Sequence, residues 1–183
     1  MVNKNRRKVC IFCGSKKTNS EELKGKIYEL VNLFAKNNMD LVYGGSKRGI
    51  MGLVNDTFRK EQRKVIGVLP FKAPKNEEKA TNLNETIYTN DLFERKRKMI
   101  ELSDFFLILP GGIGTLDETF EIITSNSMNF SHKKVAIFNC FGFYDNLINQ
   151  LNKMIDYNFV SDDIWNKIII ESNPHQLFEK LVK

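Results

Sequence analysis

An α/β fold with a doubly wound, mostly parallel sheet and helices on both faces is the architecture this sequence predicts. Three observations predict it. Short apolar runs rich in Val, Ile, Leu and Phe alternate with longer segments whose apolar residues recur at helical spacing. Several runs end in glycine turns, at Gly14-Ser15, at residues 44–49 and at residues 111–114. No domain-scale linker, repeat or low-complexity segment interrupts the 183 residues. Strands that alternate with helices build parallel sheets covered on both faces, and such folds bind ligands beyond the carboxyl ends of the strands. The three glycine turns are expected to meet there. The predicted organisation is a basic tail over residues 1–7 and one domain over residues 8–183.

Residues 8–13 read as the first strand, stopped by Gly14-Ser15. Residues 20–37 read as a helix, because Leu23, Ile27, Leu30, Val31 and Phe34 make one apolar stripe. Asp40–Tyr43 is a short second strand, followed by the glycine turn 44–49 and a helix over residues 50–60. Residues 65–69 form a third strand, stopped by Pro70. Residues 71–84 are polar, carry Pro74 and read as a loop able to rim or cover a site. Ile87-Tyr88 is another short strand. Asp91 and Glu94 have the spacing of a capping box at the start of a helix that runs to Leu102. Residues 105–109 form a strand that leads into the third glycine turn, and a helix follows from Thr115 past Ile123. Lys134–Phe138 is a strand. Residues 144–157 are helical, with Leu147, Leu151, Met154 and Ile155 on one face. Residues 168–170 are a last short strand, after which Asn173 caps a helix with Pro174 at its first position.

Composition narrows the function classes. At 42% hydrophobic and 27% charged residues, the chain has the balance of a soluble globular domain, and no apolar run is long enough to span a membrane. The basic N-terminus leads into a strand pattern instead of a signal-peptide core, and with three cysteines this predicts a reducing, cytoplasmic setting. Cys10 and Cys13 have redox C-x-x-C spacing. On a strand, however, an odd separation puts them on opposite faces, so both are expected to be buried and structural. Two histidines are too few for a histidine-rich metal site, and no metal is expected. The net charge of +6 favours anionic partners. The run Arg95-Lys96-Arg97-Lys98 fans out on a helix, since successive residues point about 100° apart. Few aromatics flank the basic runs, so nucleic acid is not an expected partner.

The most informative stretch is residues 107–118. An apolar strand stops at Pro110, three glycines follow within four residues, and Thr115, Asp117 and Glu118 open a helix. Glycines let backbone approach a ligand, and a helix start offers free N–H groups and a positive dipole end to phosphate. A pure phosphate grip has no electrostatic reason to keep Glu118 nearby, whereas chemistry on a phosphorylated substrate has one. The dinucleotide fingerprint is not met, because Asp117 stands where its third glycine would be. A Walker A loop is absent, since no glycine loop ends in Gly-Lys-Ser/Thr.

The run Pro110-Gly111-Gly112-Ile113-Gly114-Thr115-Leu116-Asp117-Glu118 resembles the P-G-G-x-G-T-x-x-E signature of the LOG ("lonely guy") family of cytokinin riboside 5′-monophosphate phosphoribohydrolases, often mislabelled lysine decarboxylases. The likeness extends to Cys10-Ile-Phe-Cys-Gly-Ser15, to Tyr43-Gly-Gly-Ser-Lys-Arg-Gly-Ile-Met-Gly52 and to Glu94-Arg95-Lys96, and covers roughly residues 8–182. It implies a Rossmann-like fold, a homodimer, no cofactor, and hydrolysis of a nucleoside 5′-monophosphate to free base and ribose 5-phosphate. It also implies site roles. Glu118 and Arg95 are catalytic. Gly112, Gly114 and Thr115 hold the 5′-phosphate. Glu77, Lys96, Gly111, Thr124, Gly45 and Ser15 complete the substrate-binding set. Asp117 is expected to favour the helix dipole rather than perform chemistry. The chain departs from the family pattern at Phe93, at Ser46-Lys47 and at residues 125–127, which puts the base pocket or dimer surface in question. The alternative is a non-catalytic nucleotide or molybdenum-cofactor carrier of the same fold. Lysine decarboxylation is not expected, since the chain offers no recognisable pyridoxal-phosphate site.

Overall fold

The structure, a computed structural model, describes residues 6–71 and 78–183. Seven parallel strands form one sheet: β1 (Lys8–Phe12), β2 (Asp40–Tyr43), β3 (Val65–Pro70), β4 (Glu85–Thr89), β5 (Phe105–Ile108), β6 (Lys134–Phe138) and β7 (Ile168–Glu171). Their spatial order is β4-β3-β2-β1-β5-β6-β7, a Rossmann-like, doubly wound arrangement. The chain builds outward from β1 to β4, then returns across β1 and builds the other way from β5. The order therefore reverses between β1 and β5, where a crevice opens beyond the strand ends. The two strands pair from Val9↔Phe105 to Phe12↔Ile108.

Helices α1 (Glu21–Lys36), α2 (Gly49–Lys60) and α7 (Pro174–Val182) cover one face; α3 (Leu92–Leu102), α4 (Ile113–Ser127), α5 (Asp145–Asp156) and the short α6 (Asp162–Trp165) cover the other. Strand alternation feeds both layers. Val9, Ile11 and Cys13 enter the first core, while Cys10 and Phe12 enter the second. The two thiols of the C-x-x-C pair thus lie on opposite sides of the sheet, both buried. Burial pushes both thiols well above their ordinary pKa.

Helix ends follow the sequence signals closely. Ser20 Oγ accepts from Leu23 N, and Asn173 Oδ1 accepts from His175 N and Gln176 N, with Pro174 in the first turn. The capping box at α3 closes differently from expectation. Asp91 accepts from Glu94 N at 2.7 Å, but Glu94 Oε2 accepts from Asn90 N, also at 2.7 Å, rather than from Asp91 N. Two features lacked a sequence signal: α6, and a 3-10 turn at Cys140–Gly142 that holds Phe141 at φ 54°. Glu77 and Pro74 lie outside the described residues. Just beyond them, Lys79 bridges Ser46, and Lys47 N and Ala80 N donate to Glu78 O and Gly45 O, so the second glycine turn is annealed to this segment. No helix among the described residues is long and apolar enough to cross a membrane.

Candidate active site

A cleft of about 660 Å³ occupies the crevice beyond β1 and β5. Its floor is the contact between the two strand ends. Gly14 N donates to Pro110 O at 3.2 Å, and a Cβ on Gly111 would lie 2.9 Å from Gly14 N. Only glycine lets these backbones come so close. Gly14 O turns the other way and accepts from Ile50 N at 3.0 Å and Met51 N at 3.2 Å. The N-terminus of α2 is thereby spent on the protein's own backbone.

The N-terminus of α4 is arranged differently. Its N-cap is Gly112, with no side-chain cap, and its first turn contains no acidic residue. Residues 110–115 line the cleft. A Cβ on Gly112 or Gly114 would meet nothing within 4 Å, and neither residue has a left-handed φ. Nothing inside the chain requires glycine at these two positions. A ligand whose oxygens approach the backbone does, and the first-turn N–H groups with the dipole behind them suit a phosphate.

Glu118 follows Thr115 by three residues on α4, which puts both on one face of the helix. Both are buried and both line the cleft. Arg95 reaches Glu118 from α3, its Nη1 donating to Oε1 at 2.9 Å, while its Nε donates to Val68 O at 2.9 Å. The two side chains are 12% and 6% exposed, so the ion pair is shielded from bulk water. Burial pushes the Glu118 carboxyl above the usual carboxylate range, and the charge and hydrogen bond of Arg95 pull it back. The result is a buried carboxyl group beside an uncapped helix N-terminus and held by a cation.

Several expected residues line the cleft and others do not. Ser15, Gly111, Gly112, Gly114, Thr115, Arg95 and Glu118 line the cleft. Lys96 does not: its Nζ donates to Asp117 and Glu121, each at 2.9 Å, and lies over the Phe93 ring. Asp117 accordingly serves Lys96 rather than the helix dipole alone. Thr124 is an exposed residue further along α4, away from the cleft. Gly45 turns the chain at φ +83°, and a Cβ there would lie 2.5 Å from Leu69 Cδ1, so its role is the turn. Residues with no expected site role join the lining. Lys16 and Thr18 follow Ser15; Ile50 and Met51 open α2; Phe143 is carried in by the 3-10 turn. Tyr144 pins that turn, its hydroxyl donating to Leu109 O at 2.8 Å. Leu23 was visible only as part of a core stripe.

Fold and site together define a Rossmann-like α/β protein with an uncapped helix N-terminus and a buried carboxylate–arginine pair at the switch point of the sheet. Comparison with known proteins places it more closely. A family model described as "possible lysine decarboxylase" matches residues 51–181. A cytokinin riboside 5′-monophosphate phosphoribohydrolase of Arabidopsis thaliana is 34% identical over 175 residues, 96% of this chain and 82% of the relative. A probable enzyme of the same name from Oryza sativa subsp. japonica is 33% identical over 177 residues, 97% of this chain and 77% of the relative. The chain belongs to this LOG family. Among solved structures, the molybdenum cofactor binding protein from Rippkaea orientalis superposes with a TM-score of 0.71 at 20% identity, covering 98% of this chain and 99% of the other. The molybdenum cofactor carrier protein from Chlamydomonas reinhardtii gives 0.70 at 16% identity, covering 97% and 98%. At such identities the likeness is one of fold.

Proposed function

We propose that the protein hydrolyses the N-glycosidic bond of an adenosine 5′-monophosphate, plain or N6-substituted, to free base and ribose 5-phosphate. The observation that carries this reading is Glu118: a buried carboxylate, paired with Arg95, one helical turn from an open helix N-terminus. A 5′-phosphate seated on the amides of residues 113–115 puts the ribose beside Glu118. As the bond from C1′ to the base breaks, positive charge grows on the ribose, and a carboxylate already in place stabilises it. The hydroxyl of a water then bonds to C1′, and its proton ends on the departing base. Arg95 is a permanent cation and takes no proton. Its charge and hydrogen bond offset part of the cost of burying the Glu118 carboxylate, and it offers its remaining N–H groups to the leaving base.

The names of the relatives support the reaction class and direct the choice of substrates. The assay is incubation of the purified protein with AMP and with N6-isopentenyl-AMP, following base and ribose 5-phosphate by chromatography. Equimolar release of both products is expected. Intact nucleotides across the panel overturn the reading, and tight binding without turnover favours the carrier alternative. In the same reading the protein is a cytoplasmic homodimer, which light scattering on the eluting peak checks for the oligomeric state.

A further inference from the structure

The Arg95–Glu118 pair bridges α3 and α4, and what holds the guanidinium in place is written in the sheet. Carbonyls along β3 alternate in direction. Lys64 O accepts from Leu41 N on the β2 side, and Val65 O accepts from Asn84 N on the β4 side. By that alternation Val68 O faces β2. The last β2–β3 pair, however, is Tyr43↔Gly67. Val68 O has therefore outrun its partner strand, and Arg95 Nε supplies the missing donor at 2.9 Å. The guanidinium occupies the place of the next β2 residue in the ladder, beside Gly44, where β2 leaves the sheet.

A Cβ on Gly44 would lie 2.5 Å from Arg95 Nη2 and 3.1 Å from Met51 Cε. The tip of an arginine normally swings aside from such a clash. This one is tied at Nε to Val68 and at Nη1 to Glu118, and Met51 closes another side. Gly44 itself is not left-handed, in contrast to Gly45 and Gly49, so an alanine there carries no left-handed strain.

We propose that Gly44 is a positioning residue for the Arg95–Glu118 pair: its missing side chain is the space in which the guanidinium is held against Val68 O and Glu118. The proposal rests on reading that pair as the working centre. Any side chain at position 44 drives the guanidinium off one or both anchors. The cradle on α4 is untouched by the change.

The test is Gly44→Ala, alone and in an Arg95→Lys background. Alone, it lowers kcat on AMP by about a hundredfold, the scale of an ångström misplacement, with KM and ribose 5-phosphate affinity little changed. Lysine has no second terminal nitrogen to collide, so in the Arg95→Lys background the same change costs less than about threefold, a non-additive cycle. An activity-independent readout is the titration of the Glu118 carboxyl by 13C NMR. The groups acting on it are Arg95, Lys96 and Asp117, with the Cys10 and Cys13 thiols coupled to it. Lys96 stays tied to Asp117 and Glu121, so losing the Arg95 contact moves the titration to higher pH. An unshifted titration, or equal losses in both backgrounds, overturns the proposal. If Gly44→Ala unfolds alone but folds with Arg95→Lys, the clash is supported; unfolding in both backgrounds overturns it. Should the wild type cleave no nucleotide, the functional reading fails, and the titration still decides the role of Gly44.

Discussion

The two glycine turns that open α2 and α4 look alike in sequence and serve opposite ends. Around α2, each glycine answers to the protein itself. Gly45 and Gly49 are left-handed, Gly52 packs on the Lys47 backbone, Gly44 clears Arg95, and the first N–H groups of the helix are taken by Gly14 O. Around α4, Gly112 and Gly114 have open space where a side chain would be and no left-handed φ. A glycine that the fold does not need points outward, to something the fold must admit. In the proposed reading, the difference separates a turn that builds the site from a turn that receives the ligand.

The largest effect that sharpens this contrast is at Glu118, on the receiving side. Glu118→Gln lowers kcat on AMP by about a thousandfold, while ribose 5-phosphate affinity, read by calorimetry, stays within a few fold. Burial raises the folded-state pKa of this carboxyl, so wild-type turnover falls as pH drops through a value above the usual carboxylate range. A carboxyl whose pKa is raised on folding loses stability as pH rises from its unfolded to its folded value. Glu118→Gln removes that loss but leaves the buried Arg95 guanidinium without its counter-charge, so the Tm at neutral pH falls.

Next come the glycines themselves. Gly112→Ala weakens ribose 5-phosphate binding by about tenfold or more, with Tm unchanged, because the new methyl group fills only ligand space. Gly49→Ala does the reverse, costing about 1–3 kcal/mol in a denaturant titration through its left-handed φ and its contact with the backbone of Ser15 and Lys16. Equal effects of the two changes on Tm would erase the distinction between the turns. The smallest effect is at Lys96, which belongs to neither. Lys96→Met costs about 1 kcal/mol, because its acidic partners are half-exposed and keep their water. It leaves KM for AMP near the wild-type value, and a tenfold rise in KM would return Lys96 to the substrate.

Much of the fold was legible because period and punctuation agree. β2 and β6 have the predicted bounds, and Ser20, Asp91 and Asn173 cap the helices they precede. A mostly parallel sheet followed from the alternation of strands and helices, whereas the strand order had no sequence signal. Of the candidate site, the pairing of Arg95 with Glu118 rested on resemblance, since they are 23 residues apart and meet only through tertiary packing. Lys96 does not line the cleft, for a local reason. Adjacent helical residues diverge by about 100°, so a cleft that takes Arg95 turns its neighbour toward Asp117 and Glu121. Phe143 had no signal, because a left-handed phenylalanine at 141 is not a turn residue that sequence announces. Gly44 was visible as part of a glycine turn. Its purpose was not, because it depends on where β2 stops relative to β3.

Gly14 gives its N–H to Pro110 on the α4 side and its carbonyl to Ile50 and Met51 on the α2 side. One residue at the end of the central strand thus hydrogen-bonds to both the receiving turn and the building turn. A ligand that orders the α4 turn is therefore expected to slow hydrogen exchange at the Ile50 and Met51 amides as well, through Gly14.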